Sequence, residues 1–358
     1  MPKDDNWHPI RLSAPMRRGQ TIPKKSHSIR LGFVPLNDCA PLAVAREIGI
    51  FEKHGLDVSL HRELGWATIR DSLFYGDLDA AQSIAGIAFA LGFGLTDLRC
   101  EVSVPMILNL HGNAITLSSH LPHEDIGDGS GLKAYLARHW KKERPFTLAT
   151  THRFSSHSVL LHAWLKRHGL AESDIEIIIL PPSLMPRHLK AGHIDGYCVG
   201  EPYNSESILG GFGWSPVTSA ELSYGHPEKV LLLSAEFSRE RKEETIQLVA
   251  ALLESCKLCQ DPAFRNDLID ILAQKQYTAA TPEALRNSLG ETFFTGHSKV
   301  SASAFHIFHG DAVNRPSTDK ASWMLAGLRS AGNLPEISCG SLSRLYREDI
   351  YMAAVAGA

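Results

Sequence analysis

IRLGFVP (29–35), CAPLAVAREIGIFEKHG (39–55), LDVSLHR (56–62), GWATIRDSLFYG (65–76) and LDAAQSI (78–84) follow one another almost without a gap, and their alternation decides the fold. The first is a short β-prone run closed by a Pro turn signal, which reads as a strand. Asp38 precedes the second, where Leu42, Ala45, Ile48 and Phe51 recur at helical spacing and Gly55 stands where the helix would end. By the same reading 56–62 is a strand, 65–76 a helix and 78–84 a strand. A β-α-β-α-β series predicts a parallel sheet with right-handed crossovers.

The pattern is then written a second time. PFTLATT (145–151), IEIIILPP (175–182) and IDGYCVG (194–200) read as strands, with HSVLLHAWLKRHG (157–169) and SLMPRHLKAG (183–192) as the helices between them. Between the two series lie a β-prone run at 101–118 and the polar stretch LPHEDIGDGSG (121–131), which resembles a connection. After VLLLS (230–234) only helical patterns are expected. The expected organisation is a polar, disordered tail at 1–28, a first part of lobe one at 29–117, lobe two at 118–217, and at 218–358 a return to lobe one with C-terminal helices. A length of 358 residues fits two lobes better than one core.

Composition narrows the function classes. With 36 basic and 39 acidic residues the net charge is −3, so no global cationic field exists to hold nucleic acid or an anionic lipid surface. No apolar segment approaches the roughly 20 residues that cross a bilayer, and residues 1–28 hold no run of seven apolar residues of the kind an export signal carries. A cytoplasmic location and no membrane insertion are expected. The six cysteines are scattered; Cys256 and Cys259 form half a zinc pattern with no second pair nearby. No phosphate loop, HExxH, GxSxG or Ser-His-Asp arrangement stands out, so neither a cofactor nor catalysis is expected.

Two α/β lobes joined by crossings make a cleft walled by strand C-termini and helix N-termini, whose free N–H groups favour an anion. The runs GFVPLNDCAPLAVAREIGIFEKHGLDVSL (32–60), ELGWATIRDSLFYGDLDAAQ (63–82), LNLHGNAITLS (108–118), DGYCVGEPY (195–203) and GHPEKVL (225–231), in this order, resemble the substrate-binding proteins for nitrate and bicarbonate in ABC transport, the NrtA/CmpA-like family. Among its members the expected absence of an export signal makes the chain similar to the NasS type, a cytoplasmic nitrate and nitrite sensor that partners an RNA-binding antiterminator (NasT-like). The resemblance implies a two-lobed, type II periplasmic-binding-protein-like α/β fold, closing on a small anion between the lobes.

It also implies the site. Trp66 stands where the family's WATIRD-like motif places a ligand-contacting Trp, with packing as the alternative reading. Asn113 lies where relatives usually have Gln, so a shorter amide replaces a longer one. His157 falls in a stretch where the family has a ligand-binding His, with His152 and His162 close by. Gly200, in GEPY, corresponds to a backbone contact, and Glu201 reads as an orienter, because a carboxylate facing an anion repels it. Lys229, in HPEKVL, corresponds to the residue that pairs with the anion; without the motif it would read as a rim charge. Gln82 and Arg70 form a second tier, Gln82 in the cleft and Arg70 on an exposed helix face. The expected function is a nitrate or nitrite sensor. The alternative is the substrate-binding component of an ABC transporter for nitrate, bicarbonate or sulfonate.

Overall fold

Two five-stranded sheets organise the fold. In the computed structural model, which describes residues 28–140, 144–332, 334 and 342–357, the first sheet is built from β1 (Ile29–Phe33), β2 (Val58–Arg62), β3 (Ala80–Ile84), β4 (Val102–Ile107) and a returning strand at Lys229–Ser234. The expected tail at 1–28 lies outside the described residues except for Ser28. β1 pairs in parallel with both β2 and β3, as the alternation predicts, and the returning strand runs antiparallel between β3 and β4. β1, β3, β4 and the returning strand are buried almost throughout, while β2 at the edge of the sheet exposes His61 and Arg62.

β5 (Leu110–His111) leads out of the first sheet, and the second contains β6 (Asn113–Ser118), β7 (Phe146–Thr150), β8 (Ile175–Ile179), β9 (Gly196–Gly200) and β10 (Gly213–Thr218). β7 runs parallel to β8 and β9, while β6 runs antiparallel to β9 and β10. Since β6 belongs to the second sheet, the chain changes sheets between Ile107 and Asn113, earlier than the expected boundary at 117. The turning point is the pair His111 (φ 60°) and Gly112 (φ 90°), which reverses direction inside a run with no break in its β-prone character. The chain returns to the first sheet between Thr218 and β11 (Lys229–Ser234).

Two local readings change, and one further helix appears, for physical reasons. The single helix expected over 39–55 is two, Ala40–Glu47 and Ile50–Lys53, split where Gly49 takes φ 73°. AGIAFALGF (85–93) is a helix with no polar face, buried from Ala85 through Leu91, so it shows no amphipathic period. Beyond residue 234, short strands at Thr292–Phe294 and Lys299–Ser301 pair with each other, and His306–Ile307 pairs with β5; two or three residues are too few to display alternation.

The 19-residue helix Lys242–Gln260 lies on Ala40–Glu47 and buries Leu248, Val249, Leu252, Cys256 and Cys259 in the core that contains Ile29, Leu31 and Val44. Each such aliphatic side chain is worth about 1.5–3 kcal/mol. The tail does not return to lobe one alone: helix Thr318–Ser330 packs on helix Ser156–Arg167 of lobe two, so closely that a Cβ on Gly327 would come within 2.3 Å of Val159 Cγ1. Across the cleft, the Asn37 amide donates to the Glu201 carbonyl at 2.8 Å and the Tyr203 hydroxyl to the Pro35 carbonyl at 2.8 Å. The loop after β1 is thereby fixed against the segment after β9.

Candidate functional site

The strands of the first sheet end in a cluster of buried charge. Asp38 lies in the turn after β1, Glu228 immediately precedes β11, and Lys229 opens it, paired with Ile84 at the end of β3. All three are fully buried. The Lys229 ammonium lies 2.5 Å from Glu228 Oε1 and 2.9 Å from Asp38 Oδ2. It also stands 5.4 Å from the centre of the Trp66 ring, within reach of a cation–π contact. Trp66 begins helix Trp66–Tyr75 behind the cap Gly65, which turns its indole toward Lys229.

Lobe two faces this cluster with neutral donors. Asn113 is the first residue of β6 and pairs across with Gly200, the last of β9. Its amide donates to Glu228 Oε2 at 2.6 Å. Ser156 and His157 occupy the first turn of helix Ser156–Arg167, where Ser155 caps the Ser158 amide. The Ser156 hydroxyl donates to Glu228 Oε1 at 2.7 Å; His157 holds its Nδ1 2.9 Å from the Thr151 hydroxyl and its Nε2 3.6 Å from the same Glu228 oxygen. A Cβ on Gly200 would lie 3.2 Å from Asn113 Oδ1 and 3.3 Å from Asp38 Oδ2, so glycine keeps this wall thin.

Burial and charge set the protonation. Burial raises the Glu228 carboxyl, but Lys229, His157 and His226 outweigh it and hold it down at about 2. Asp38 is pushed up to about 6 by burial, with Lys229 pulling the other way. Burial opposes the charge on Lys229, yet the two carboxylates keep its pKa raised. His157 and His306 are lowered to about 3 and His226 to about 4, each chiefly by burial, so these imidazoles are neutral near pH 7. Burial lifts Glu201 to about 8. A neutral carboxyl there fits an orienting part, and it accepts the Ser205 amide at 3.1 Å.

Trp66, Asn113, His157, Gly200 and Lys229 are therefore brought to one place. Gln82 is fully buried in the middle of β3, its carbonyl accepting the Val34 amide at 3.0 Å and its Nε2 without a partner among the described residues. Trp66 Nε1 and His157 Nε2 likewise lack a hydrogen-bond partner. Buried donors of this kind mark positions where a ligand oxygen would be stabilised. Arg70 is half-buried and paired with Asp71 on its own helix. His152 faces the amide of Phe154 and His162 the carbonyl of Ser158, so neither replaces His157. Cys256 and Cys259 point into the helical core, with thiols raised by burial. No group of three metal-ligating side chains occurs among the described residues.

Sequence reasoning missed Asp38, Ser156 and Glu228. The available signal was a charge at the edge of an apolar strand: Glu228 sits beside Lys229 in HPEKVL, and Asp38 follows the strand in VPLND.

Residues 23–273 match the NMT1-like family model. The chain is 34% identical over 331 residues to the nitrate import ATP-binding protein NrtC of Synechocystis sp. PCC 6803, covering 90% of this chain and 49% of that one. It is 36% identical over 324 residues to the bicarbonate transport ATP-binding protein CmpC of the same organism, covering 86% and 46%. The chain thus spans about half the length of these curated relatives. The crystal structure of the periplasmic nitrate-binding protein NrtA from Synechocystis PCC 6803 superposes with a TM-score of 0.87 at 24% identity, covering 92% of this chain and 88% of that one, which shows the shared fold. Two five-stranded sheets joined by two crossings agree with that fold, and the chain belongs to the NMT1-like family, with the NrtA/CmpA-like, two-lobed type II α/β fold.

Proposed function

We propose that the cleft binds a small planar oxyanion, nitrate or nitrite in the first instance, and does no chemistry on it. The observation that carries this reading is the convergence of groups from both lobes on one point: Lys229, Asn113 and Ser156 each donate to the Glu228 carboxylate, His157 Nε2 stands 3.6 Å from it, and the Trp66 ring lies within cation–π distance of Lys229. One ammonium and several uncharged donors match the needs of a monovalent anion stripped of water. Gln82 and the Gly200 wall would complete the lining. The names of the relatives, NrtA for nitrate and CmpC for bicarbonate, support this class of ligand.

Closure would turn on the two crossings, 108–112 and 219–228, and lobe two would carry the response to ligand. The sensor reading places an RNA-binding antiterminator of the NasT type on that response. A second reading, a substrate-binding module within an ABC importer, is favoured by the match to one half of NrtC and CmpC. Linkage separates them, because a ligand that changes a partner's grip must itself bind more or less tightly in the partner's presence. Titrating nitrate with and without an antiterminator of this class would show a shifted Kd for a sensor. Equal Kd values would remove the sensor reading. A titration without saturable heat for nitrate, nitrite or hydrogencarbonate at millimolar concentration would remove the oxyanion reading altogether.

A further inference from the structure

The donors assigned to an anion converge on a side chain of the protein itself. Asn113 donates to Glu228 Oε2, and Ser156 and Lys229 both donate to Oε1, at 2.6, 2.7 and 2.5 Å. A carboxylate is planar, singly negative and presents two oxygens, so among side chains it is the nearest likeness of nitrite and of one edge of nitrate. Lys229 contributes one positive charge, Asp38 and Glu228 two negative ones. An added anion would leave the buried cluster with one positive and three negative charges, an arrangement the protein interior strongly disfavours.

We propose that Glu228 is an internal stand-in for the anion, and that an oxyanion enters the cleft together with one proton, which the Asp38–Glu228 carboxylate pair takes up as the anion claims Lys229, Asn113 and Ser156. The proposal rests on the oxyanion reading above. The proton comes from solvent and forms an O–H bond on one of the two carboxylates; nothing is oxidised or reduced. Every other titratable group facing Glu228 stays as it is near pH 7. His157 and His226, with ring nitrogens 3.6 Å from its oxygens, are neutral because they are buried. His111 on β5 and His306 opposite it are also lowered by burial, and the Cys198 thiol on β9 is raised by it. Lys229 remains charged beside Asp38, whose raised carboxyl makes it the readier proton acceptor.

Nitrate is the probe, because it carries no proton of its own at any pH used. Calorimetric titration of the full chain at pH 7 in phosphate and in Tris, whose ionisation enthalpies differ, counts protons taken up per ion. The expected result is about one, with affinity falling about tenfold from pH 7 to pH 8. Glu228→Gln is expected to bind nitrate more tightly, without proton uptake and with the same affinity at both pH values. If that variant does not fold, the wild-type proton count decides alone. Binding to the wild type with no proton uptake and no pH dependence would overturn the proposal while leaving the oxyanion reading intact. Nitrate binding by Glu228→Gln but not by the wild type would support it. Binding by neither would overturn both.

Discussion

The two walls of the cleft are built from different chemistry. Lobe one supplies the cluster's formal charges, Asp38 in the turn after β1, Glu228 just before β11 and Lys229 as its first residue, all buried. Lobe two supplies dipoles: the Asn113 amide, the Ser156 hydroxyl, the His157 imidazole and the bare backbone at Gly200. The lobe-one charges sum to one negative, so that wall admits an anion only as its own carboxylates yield Lys229, whereas dipoles stabilise an ion only when correctly placed. Lobe one thus sets the charge balance of binding, and lobe two is suited to recognising shape.

If this division holds, damage to lobe one should be the more severe. Lys229→Met leaves two buried carboxylates without their counter-ion, and stability should fall by about 3–5 kcal/mol, with nitrate binding lost. A denaturant midpoint compared with that of the wild type measures the loss; an unchanged midpoint would mean that the cluster is not held as described. On lobe two, Asn113→Ala removes one charge-assisted hydrogen bond and should cost about 1.5–3 kcal/mol by the same measurement.

Acid tests the cluster as a whole. His157, His226 and His306 have lowered pKa values when folded, so the unfolded chain binds more protons below about pH 6.5 and stability falls as pH falls. Between pH 7 and pH 5 each should withdraw on the order of 2 kcal/mol. His152, lowered to about 4, withdraws on the order of 2 kcal/mol with the other histidines. Asp38, Glu201 and Glu206 act in the opposite sense. Their folded pKa values of about 6, 8 and 7 lie above their ordinary values, so folding takes up protons on acidification and returns on the order of 1, 2 and 2 kcal/mol. The net expectation is a lower Tm at pH 5, and a His306→Gln variant should lose less Tm over the same interval.

The smallest effect belongs to the thin wall of lobe two. A methyl group at Gly200 meets Asn113 Oδ1, Asp38 Oδ2 and Leu36 Cδ2 at 3.2–3.3 Å, so neighbours must yield by a few tenths of an ångström. Gly200→Ala should cost about 1 kcal/mol in stability and weaken nitrate by a comparable factor.

What the sequence made legible follows the same division. The parallel strands and their helices were readable because apolar period and turn residues are local properties, as in 29–35 and 65–76. The crossing at 108–112 was not, because β4, β5 and β6 form one unbroken β-prone run and only the backbone at His111 and Gly112 separates two sheets. Among site residues, Trp66, His157 and Lys229 were found through motifs. Asp38 and Glu228 escaped because a carboxylate argues against an anion site until its partners are known, and partners distant in the chain hold each of them: Asn113 and Ser156 for Glu228, Lys229 for Asp38.

A crystal structure grown with saturating nitrate tests the central claim most directly. The expected result is trigonal density within about 3 Å of Lys229 Nζ and Trp66 Nε1, with the Glu228 carboxylate no longer bonded to Lys229. A cleft unchanged at saturating nitrate, with Glu228 still on Lys229 and the ion bound elsewhere or not at all, would contradict it.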